Sequence, residues 1–360
     1  MITENTVMKG LSYVIEPDLK QDLVSAGLVS DMKIEGNKVS FTLKISNPAM
    51  HSKQRMEEAV LHYLHMHVSD AIEADINFVA LEKHQNKREA TQRKTMHGVK
   101  NIIAVASGKG GVGKSTITAN IAAGLAKKGY KVGLIDADIY GPSMPLMFDE
   151  AKSVPGGIDI DGKQKMTPVE SAWGVKIMSI GFFAQANQAI VWRGPMVDSA
   201  LKQMANDTHW GELDYVLIDL PPGTGDIHLS LVQNIPLSGV VVVTTPQEVA
   251  LADARKAVGM FNMDGISTPI LGLVENMSYF VPEDMPEKKY HIFGKDGGKA
   301  LAEDLKIPLI AEIPLVTSVR EAGDAGRPAV LQNGTPQAEA FMDLVNTIDS
   351  KINELEVSNG

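Results

Sequence analysis

A glycine-rich segment, GKGGVGKS at residues 108–115, constrains the fold of this chain more than any other feature of the sequence. It matches the pattern G-x-x-x-x-G-K-[ST], follows the apolar run IIAVA at 102–106 and precedes a helix-like stretch. Glycines let the backbone curl tightly around phosphate groups, while backbone N–H groups and the helix N-terminus face the anion. The sequence therefore predicts a strand–loop–helix unit that cradles the phosphates of a nucleotide.

The polar residues that close this loop have separate predicted roles. Lys114 can reach the β- and γ-phosphates, Ser115 can ligate Mg²⁺, and Thr116 can cap the α-phosphate. The predicted ATP contacts within the loop are Gly108, Lys109, Gly110, Gly111, Val112, Gly113, Lys114, Ser115 and Thr116.

Apolar strands alternate with helix-like segments from residue 101 onward. The runs IIAVA, VGLID, YVLID, GVVVVTT and PILGLVE have the near-continuous apolar character of parallel strands that are covered on both faces. Residues 116–128 and 249–262 are predicted to be helices. This alternation predicts right-handed βαβ units and an α/β fold with a doubly wound, mostly parallel sheet.

A smaller α+β unit precedes this sheet. Alternating apolar residues at 39–45 predict a half-buried strand, and Glu35-Gly36-Asn37 is favourable turn chemistry before it. A helical pattern at 56–71 and a strand at 76–81 follow. We predict a small α+β domain at 1–81, a basic polar linker at 82–99 and the main domain at 100–360. The basic, polar sequence of the linker is compatible with a solvated connection between the domains, or with a segment that contacts phosphate or nucleic acid.

Composition narrows the possible functions. None of the 360 residues is a cysteine, which excludes disulfides and thiolate-ligated metal sites within the chain. The formal net charge of -10 disfavours unspecific binding to nucleic acids. The first residues lack a signal-peptide pattern, and no apolar run is long enough to span a bilayer. We therefore expect a cytoplasmic protein without a membrane partner.

A second lysine, Lys109, directly follows the first glycine of the loop. This resembles the deviant Walker A pattern of P-loop NTPases in the ParA/MinD/nitrogenase-iron-protein superfamily. In that superfamily the lysine crosses a dimer interface to the partner's phosphates and acts like an arginine finger. The resemblance implies a homodimer that binds ATP and Mg²⁺ and hydrolyses ATP, with Lys109 and Lys114 in catalytic roles.

Two acidic strand ends fit the same resemblance. GLIDADIYGPS places Asp136 and Asp138 after a strand, where switch I lies in the superfamily, and Asp138 is the candidate that orients or activates the attacking water. YVLIDLPPGTGD places Asp219 at a strand end as the Walker B carboxylate, which holds Mg²⁺ through water. Gly223 would contact the γ-phosphate region as switch II. The alternative for aspartates at strand ends is a capping or turn role.

Two further positions match these ATPases. Asn276, in VENMSYF, corresponds to the asparagine that recognises adenine, and an amide offers both a donor and an acceptor to the base. Arg193, in WRGPM, also fits, although a structural salt bridge is an equal alternative.

Taken together, ASGKGGVGKST, DADIYGPSMP, WRGPM, DLPPGTGD and ENMS resemble the Mrp/ApbC family, whose members are described as iron–sulfur cluster carriers with ATPase activity. The segment EPDLKQDLVSAGLV, with the hairpin after it, is similar to the metal–sulfur cluster assembly factor domain often fused before these ATPases. The resemblance implies an iron–sulfur cargo and assembly or client proteins as partners.

The chain departs from that family at the expected cluster ligands. Cluster-carrying members place a C-x-x-C shortly after ENMS, where this chain has Pro282, Glu283 and Asp284, and Met50 stands where the small domain usually has a cysteine. No iron–sulfur ligand is identifiable, so a cluster would need carboxylate, imidazole or external ligands. The histidines that could substitute, or that are ordinary surface or half-buried residues, are His51, His62, His65, His67 and His291.

Two other functions fit the same sequence: a positioning or partition ATPase like MinD or ParA, and a nucleotide-regulated protein-binding scaffold with negligible turnover. MinD-like members end in a basic amphipathic helix that binds membranes. The tail of this chain has a mostly acidic polar face, which predicts packing on the domain. Its apolar stripe consists of Phe341, Leu344, Val345, Ile348, Ile352 and Leu355.

Overall fold

The computed structural model of the protein describes residues 2–16, 21–45, 50–80, 96–139, 141–183, 194–263, 266, 268–282, 284–285 and 287–359. The chain divides into two compact units, Met1–Ala90 and Thr91–Gly360. Residues 82–95 of the predicted linker lie outside the described residues, as do Arg193 and Glu283. Met96 is buried in the core of the larger unit.

The smaller unit is built around one strand with alternating burial. Its elements are α1 (Glu4–Leu11), β1 (Ile15–Glu16), β2 (Gln21–Asp22), β3 (Val29–Glu35), β4 (Lys38–Ile45), α2 (Met50–His67) and β5 (Glu73–Ala80). Strand β4 pairs antiparallel with β3 and parallel with β5. Val39, Phe41, Leu43 and Ile45 of β4 are buried, so the predicted half-buried strand and its hairpin are confirmed.

The larger unit alternates strands and helices along the chain. Its strands are β6 (Val99–Ser107), β7 (Val132–Asp136), β8 (Gly156–Ile160), β9 (Lys163–Thr167), β10 (Val169–Glu170), β11 (Val175–Ser179), β12 (Leu213–Asp219), β13 (Gly239–Thr244), β14 (Ile270–Phe280) and β15 (Leu309–Leu315). Its helices are α3 (Lys114–Lys127), α4 (Met144–Met147), α5 (Gly194–Asn206), α6 (Asp226–Asn234), α7 (Glu248–Phe261), α8 (Gly297–Leu305), α9 (Thr317–Asp324) and α10 (Pro336–Asn359). Helix α3 therefore begins two residues before the predicted start at residue 116.

One large sheet organises this unit. Among the described residues its strand order is β10-β11-β7-β12-β6-β13-β14-β15, and the pairs are parallel except β10 with β11. Along β6, Ile102, Ala104 and Ala106 pack into the core on one face. Ile103 and Val105 pack into the core on the other face. The predicted doubly wound, mostly parallel α/β sheet is confirmed.

The C-terminal helix α10 packs on the sheet through the predicted stripe. Phe341, Leu344, Val345, Ile348 and Ile352 are buried in the same core as α3, so the predicted packing of the tail is confirmed. Asp349 of α10 also accepts hydrogen bonds from the hydroxyls of Tyr130 and Tyr215, at 3.0 and 2.6 Å. Within the part of the chain that the structure describes, no helix has the length and apolar character needed to cross a bilayer.

The strand order brings the polar strand ends together. The connection after β6 leads to β7 on one side, whereas the connection after the neighbouring strand β12 leads to β13 on the other side. Open α/β sheets bind ligands at such a switch point, at the carboxyl ends of the strands. Asp219, at the end of β12, is in register with Asp136 on one side and with Val105 on the other. The two acidic strand ends therefore lie next to the loop that follows β6.

Candidate functional site

The loop between β6 and α3 can take its shape only with glycine at particular positions. A Cβ on Gly108 would lie 2.1 Å from the carbonyl oxygen of Asp253 in α7. Gly113 has φ of 83° at the N-cap of α3, a left-handed conformation that side chains with a Cβ rarely adopt. The glycines therefore allow close packing against α7 and a sharp entry into the helix.

Lys114 and Asp219 form the centre of the site. The Lys114 Nζ lies 2.7 Å from Asp219 Oδ1, and the two side chains are 5% and 0% exposed. The hydroxyl of Ser115 donates to Asp219 Oδ2 at 2.7 Å. A buried carboxylate is stable when it is paired with a cation and hydrogen-bonded, and both conditions hold here.

Thr118 is a residue of this centre that the sequence analysis missed. Its hydroxyl is buried and lies 2.7 Å from Asp219 Oδ1 and 2.9 Å from the Lys114 carbonyl. Thr118 follows Lys114 by four residues, which is one turn of α3. A polar residue at that spacing on a helix that otherwise has mostly small and apolar residues was the available signal.

The two aspartates after β7 have different surroundings. Asp136 is fully buried and accepts hydrogen bonds from Ser179 Oγ at 2.9 Å and from the backbone of Ser143 and Met144 at 3.0 and 3.1 Å. Burial, and next the negative charge of Asp219, raise the pKa of Asp136 to about 7. Asp136 therefore anchors the loop that follows β7.

Asp138 faces the phosphate loop instead. Its Oδ2 lies 3.9 Å from the Lys114 Nζ, and its side chain is 14% exposed. A cavity of about 270 Å³ opens at this point. The predicted site residues that line it include Lys109, Gly110, Lys114, Ser115, Thr116 and Asp138.

Two predicted site residues support the loop from behind. The N–H of Gly223 donates to the Ser107 carbonyl at 2.9 Å, which fixes the loop after β12 to the end of β6. The Nδ2 of Asn276, which is buried, donates to the Val112 carbonyl at 2.8 Å. Because this amide nitrogen is engaged by the phosphate loop, adenine recognition by Asn276 stays a prediction.

His228 of α6 is a second residue that the sequence analysis missed. Its Nε2 lies 2.7 Å from the carbonyl oxygen of Pro221, and the residue is 3% exposed. Burial lowers the pKa of the ring. The signal was its place nine residues after Asp219, in the DLPPGTGDIH run.

Comparison with known proteins now identifies the family. A family model described as the NUBPL iron-transfer P-loop NTPase matches residues 98–349, which is most of the chain. This chain belongs to that family. A second model, described as an iron–sulfur cluster assembly protein, matches residues 4–70 of this NTPase. The resemblance that the motifs indicated is confirmed for both units.

Two similar proteins match this NTPase over nearly its full length, and a solved structure matches most of it. A Synechocystis protein named iron–sulfur cluster carrier protein is 38% identical over 361 residues, 98% of each chain. A Deinococcus radiodurans protein of the same name is 42% identical, covering 97% of this chain and 95% of its own. A solved structure of a nucleotide-binding protein with ADP, from Archaeoglobus fulgidus, is 37% identical, covers 70% of this chain and 95% of its own, and has a TM-score of 0.58.

The described residues of this NTPase do not assemble a cluster site. No group of three or more His, Asp or Glu side chains among them could hold a metal ion. His65 Nε2 lies 3.0 Å from the Ile72 carbonyl, and the His67 ring stacks on Tyr13 with centroids 4.2 Å apart. His291 Nδ1 lies 3.3 Å from the Ser278 carbonyl. These three histidines thus have local structural contacts.

Proposed function

We propose that this chain is a Mg²⁺-dependent ATPase whose nucleotide state drives a step of iron–sulfur cluster transfer. The observation that carries the proposal is the convergence of Lys114 Nζ and Ser115 Oγ on Asp219, each 2.7 Å from a carboxylate oxygen, beside a glycine loop and the start of a helix. A cation, a hydroxyl, a carboxylate and free loop N–H groups are what a Mg²⁺-bound triphosphate needs.

Lys114 exchanges partners in this proposal. The phosphate oxygens of ATP would replace Asp219 as partners of the Nζ. Asp219 would then be available to hold Mg²⁺ through a water molecule, and Ser115 Oγ would be a direct ligand. Hydroxyl and carboxylate oxygens are the hard donors that Mg²⁺ prefers. When bound, Mg²⁺ would supply positive charge that offsets the charge of the phosphates.

Hydrolysis requires two more side chains. Asp138, within the same cavity as Lys114, orients the attacking water. Lys109 is exposed on the phosphate loop and reaches the phosphates of a second copy of the chain in a homodimer. The positive charge of Lys109 then lies where the transition state accumulates negative charge. The contacts of Gly223 with the γ-phosphate region and of Asn276 with adenine complete the predicted site.

This chain cannot supply thiolate ligands to an iron–sulfur cluster. Its relatives are named iron–sulfur cluster carriers, but the chain has no cysteine. We therefore infer that the thiolates of the cluster come from a partner protein or a small thiol, and that this chain contributes the nucleotide-driven step. A cytoplasmic location, without membrane or nucleic-acid partners, stays a prediction from the sequence.

Two measurements on the purified protein test the proposal. The first is ATP turnover with Mg²⁺ and with EDTA, with Lys114→Ala as the control that removes the phosphate-binding cation. The second is anaerobic reconstitution with iron and sulfide under a phosphine reductant, with and without ATP and an added small thiol, followed by cluster absorption and bound iron after desalting. We expect Mg²⁺-dependent turnover, and a cluster only when the thiol is present.

Each of the two measurements can contradict a different part of the proposal. Absence of Mg²⁺-dependent turnover in the wild type would contradict the ATPase. A stoichiometric cluster retained without any thiol would contradict external ligation, because the ligands would then be carboxylate or imidazole groups of the chain.

A further inference from the structure

His228 lies at the start of α6, immediately beyond the loop that follows β12 at residues 220–225. Its ring is almost fully buried, and its Nε2 is 2.7 Å from the carbonyl oxygen of Pro221. Pro221 follows Asp219 by two residues and precedes Gly223 by two. One side chain therefore connects the helix to the middle of the segment between the carboxylate and the glycine of the site.

The contact with Pro221 fixes the tautomer of the ring. A carbonyl oxygen only accepts hydrogen bonds, so Nε2 carries the proton and Nδ1 of the neutral ring has a lone pair. Burial lowers the pKa of the ring, against the opposing effects of the hydrogen bond to Pro221 and of the Asp138 charge. The lowered pKa favours the neutral ring as a donor to Pro221.

The Nδ1 atom is buried and has no hydrogen-bond partner among the described residues. A buried acceptor without a donor costs free energy, and the hydrogen bond from Nε2 to the Pro221 carbonyl is the polar contact that offsets this cost.

The surrounding backbone contacts show what this donor controls. The N–H of Leu220 donates to the Val105 carbonyl at 3.1 Å, and that of Gly223 donates to the Ser107 carbonyl at 2.9 Å. These two contacts tie the ends of the segment 220–223 to β6. His228 holds the carbonyl of Pro221 between them.

We propose that His228 is a positioning residue for ATP hydrolysis, which holds the Pro221 carbonyl and thereby sets the position of Gly223 relative to the γ-phosphate. This inference rests on the proposed ATPase function. Since ADP lacks the γ-phosphate, the loss of this contact changes turnover and leaves ADP binding unaffected.

Three substitutions test the proposal by steady-state ATP turnover and by ADP affinity. His228→Leu keeps an apolar volume and removes the donor. His228→Gln keeps an amide N–H donor at about the distance of Nε2, whereas the side chain of His228→Asn is too short to reach Pro221. We expect kcat to fall about 10-fold in the Leu and Asn variants, as for one lost hydrogen bond in a buried site, with KM and ADP affinity within about 2-fold. The Gln variant should return kcat to within about 3-fold of the wild type.

Either of two results would overturn the proposal: an unchanged kcat in the Leu or Asn variant, or a Gln variant as slow as Asn while both unfold at the wild-type temperature. The Gln and Asn pair keeps the test valid if the Leu variant does not fold. A wild type without ATP turnover would instead contradict the proposed function, so the two failures are distinguishable.

Discussion

Lys114 and Asp219 form a buried ion pair, with 2.7 Å between the Nζ and Oδ1. One partner begins α3 and the other ends β12, so the pair joins the phosphate loop to the neighbouring strand. The same lysine is the predicted phosphate ligand. The site therefore holds its cation in place through an internal anion, which a phosphate replaces in the proposed function.

Removing the carboxylate of this ion pair is expected to lower the free energy of unfolding. Asp219→Ala removes the nearest counter-charge of the buried Lys114, and loss of one partner of a buried pair typically costs about 3–5 kcal/mol. The measurement is the free energy of unfolding in urea, without nucleotide. ATP turnover should be lost in the same variant.

A surface pair provides the matched control. Lys100 lies 2.8 Å from Asp214, with the lysine side chain 69% exposed. Exposed pairs contribute about 0–1 kcal/mol, so Lys100→Ala should lower the free energy of unfolding by no more than that. If Asp219→Ala and Lys100→Ala lower the free energy of unfolding by the same amount, the buried pair stabilises the protein no more than the exposed pair does.

Much of this site could be predicted from the sequence because its determinants are local. The glycine spacing, the strand before it and the helix after it lie within one continuous segment, and Asp219 ends an unmistakably apolar strand. The acidic residues could be expected at one edge, since parallel strands present their carboxyl ends together.

The rest depends on side-chain directions and on distant packing. Asp136 and Asp138 are two residues apart, yet one turns into the protein towards Ser179 and the other towards Lys114. The contact of Asn276 with Val112 joins residues 164 positions apart. Neither the rotamers nor the approach of β14 to the loop is written in a local pattern. Thr118 and His228 had local signals, but their contacts with Asp219 and Pro221 depend on the same side-chain directions and packing.

The role of Lys109 across a dimer interface can be tested by mixing subunits. Lys109→Ala should lower turnover by about 10³-fold, the lower range for such finger residues, while much of the ATP affinity remains. Lys114→Ala should impair both. Because a site would combine its own Asp138 with the partner's Lys109, Lys109→Ala mixed with Asp138→Asn should form heterodimers with one intact site.

The mixture is then expected to be more active than either variant alone. The control is each variant mixed with itself at the same total concentration. A mixture that shows only the average of the two inactive variants, although heterodimers are detected by mass, would contradict the action of Lys109 in the partner's site.

Asp136 gives the stability of the protein a pH dependence near neutrality. Its pKa is raised from 3.8 to about 7 in the folded protein, by burial first and by Asp219 next. Between these values the folded state keeps a proton that the unfolded state releases, so its contribution to the free energy of unfolding falls as pH rises towards 7. We expect Asp136→Asn to remove this contribution, measured as the difference from the wild type in urea at pH 5.5 and pH 8.

The pKa of His228 is shifted in the opposite direction, so a His228 variant is a control for that measurement. Its pKa is lowered in the folded protein by burial, so below the ordinary value of about 6.5 the unfolded state binds more protons and the free energy of unfolding falls as pH decreases. His228→Gln should remove this acid-side loss and leave the Asp136 contribution. A wild type and Asp136→Asn that differ by the same amount at both pH values would contradict the raised pKa of Asp136.

Gly111 and Gly113 separate the backbone requirement of the phosphate loop from its packing. Both have φ of 83°, but a Cβ on Gly111 meets nothing within 4 Å, whereas one on Gly113 would lie 2.2 Å from Asn276 Nδ2. Each alanine should therefore cost about 1–2 kcal/mol for the left-handed backbone, and Gly113→Ala should cost more because it displaces the amide from the Val112 carbonyl. Measured without nucleotide in the Asn276→Ala background, the two losses in unfolding free energy should become equal, since the obstructing amide is gone. Gly113→Ala could instead remain the more destabilising change in that background. Another group would then clash with its Cβ, and the contact of Asn276 with the phosphate loop would not explain why glycine is required there.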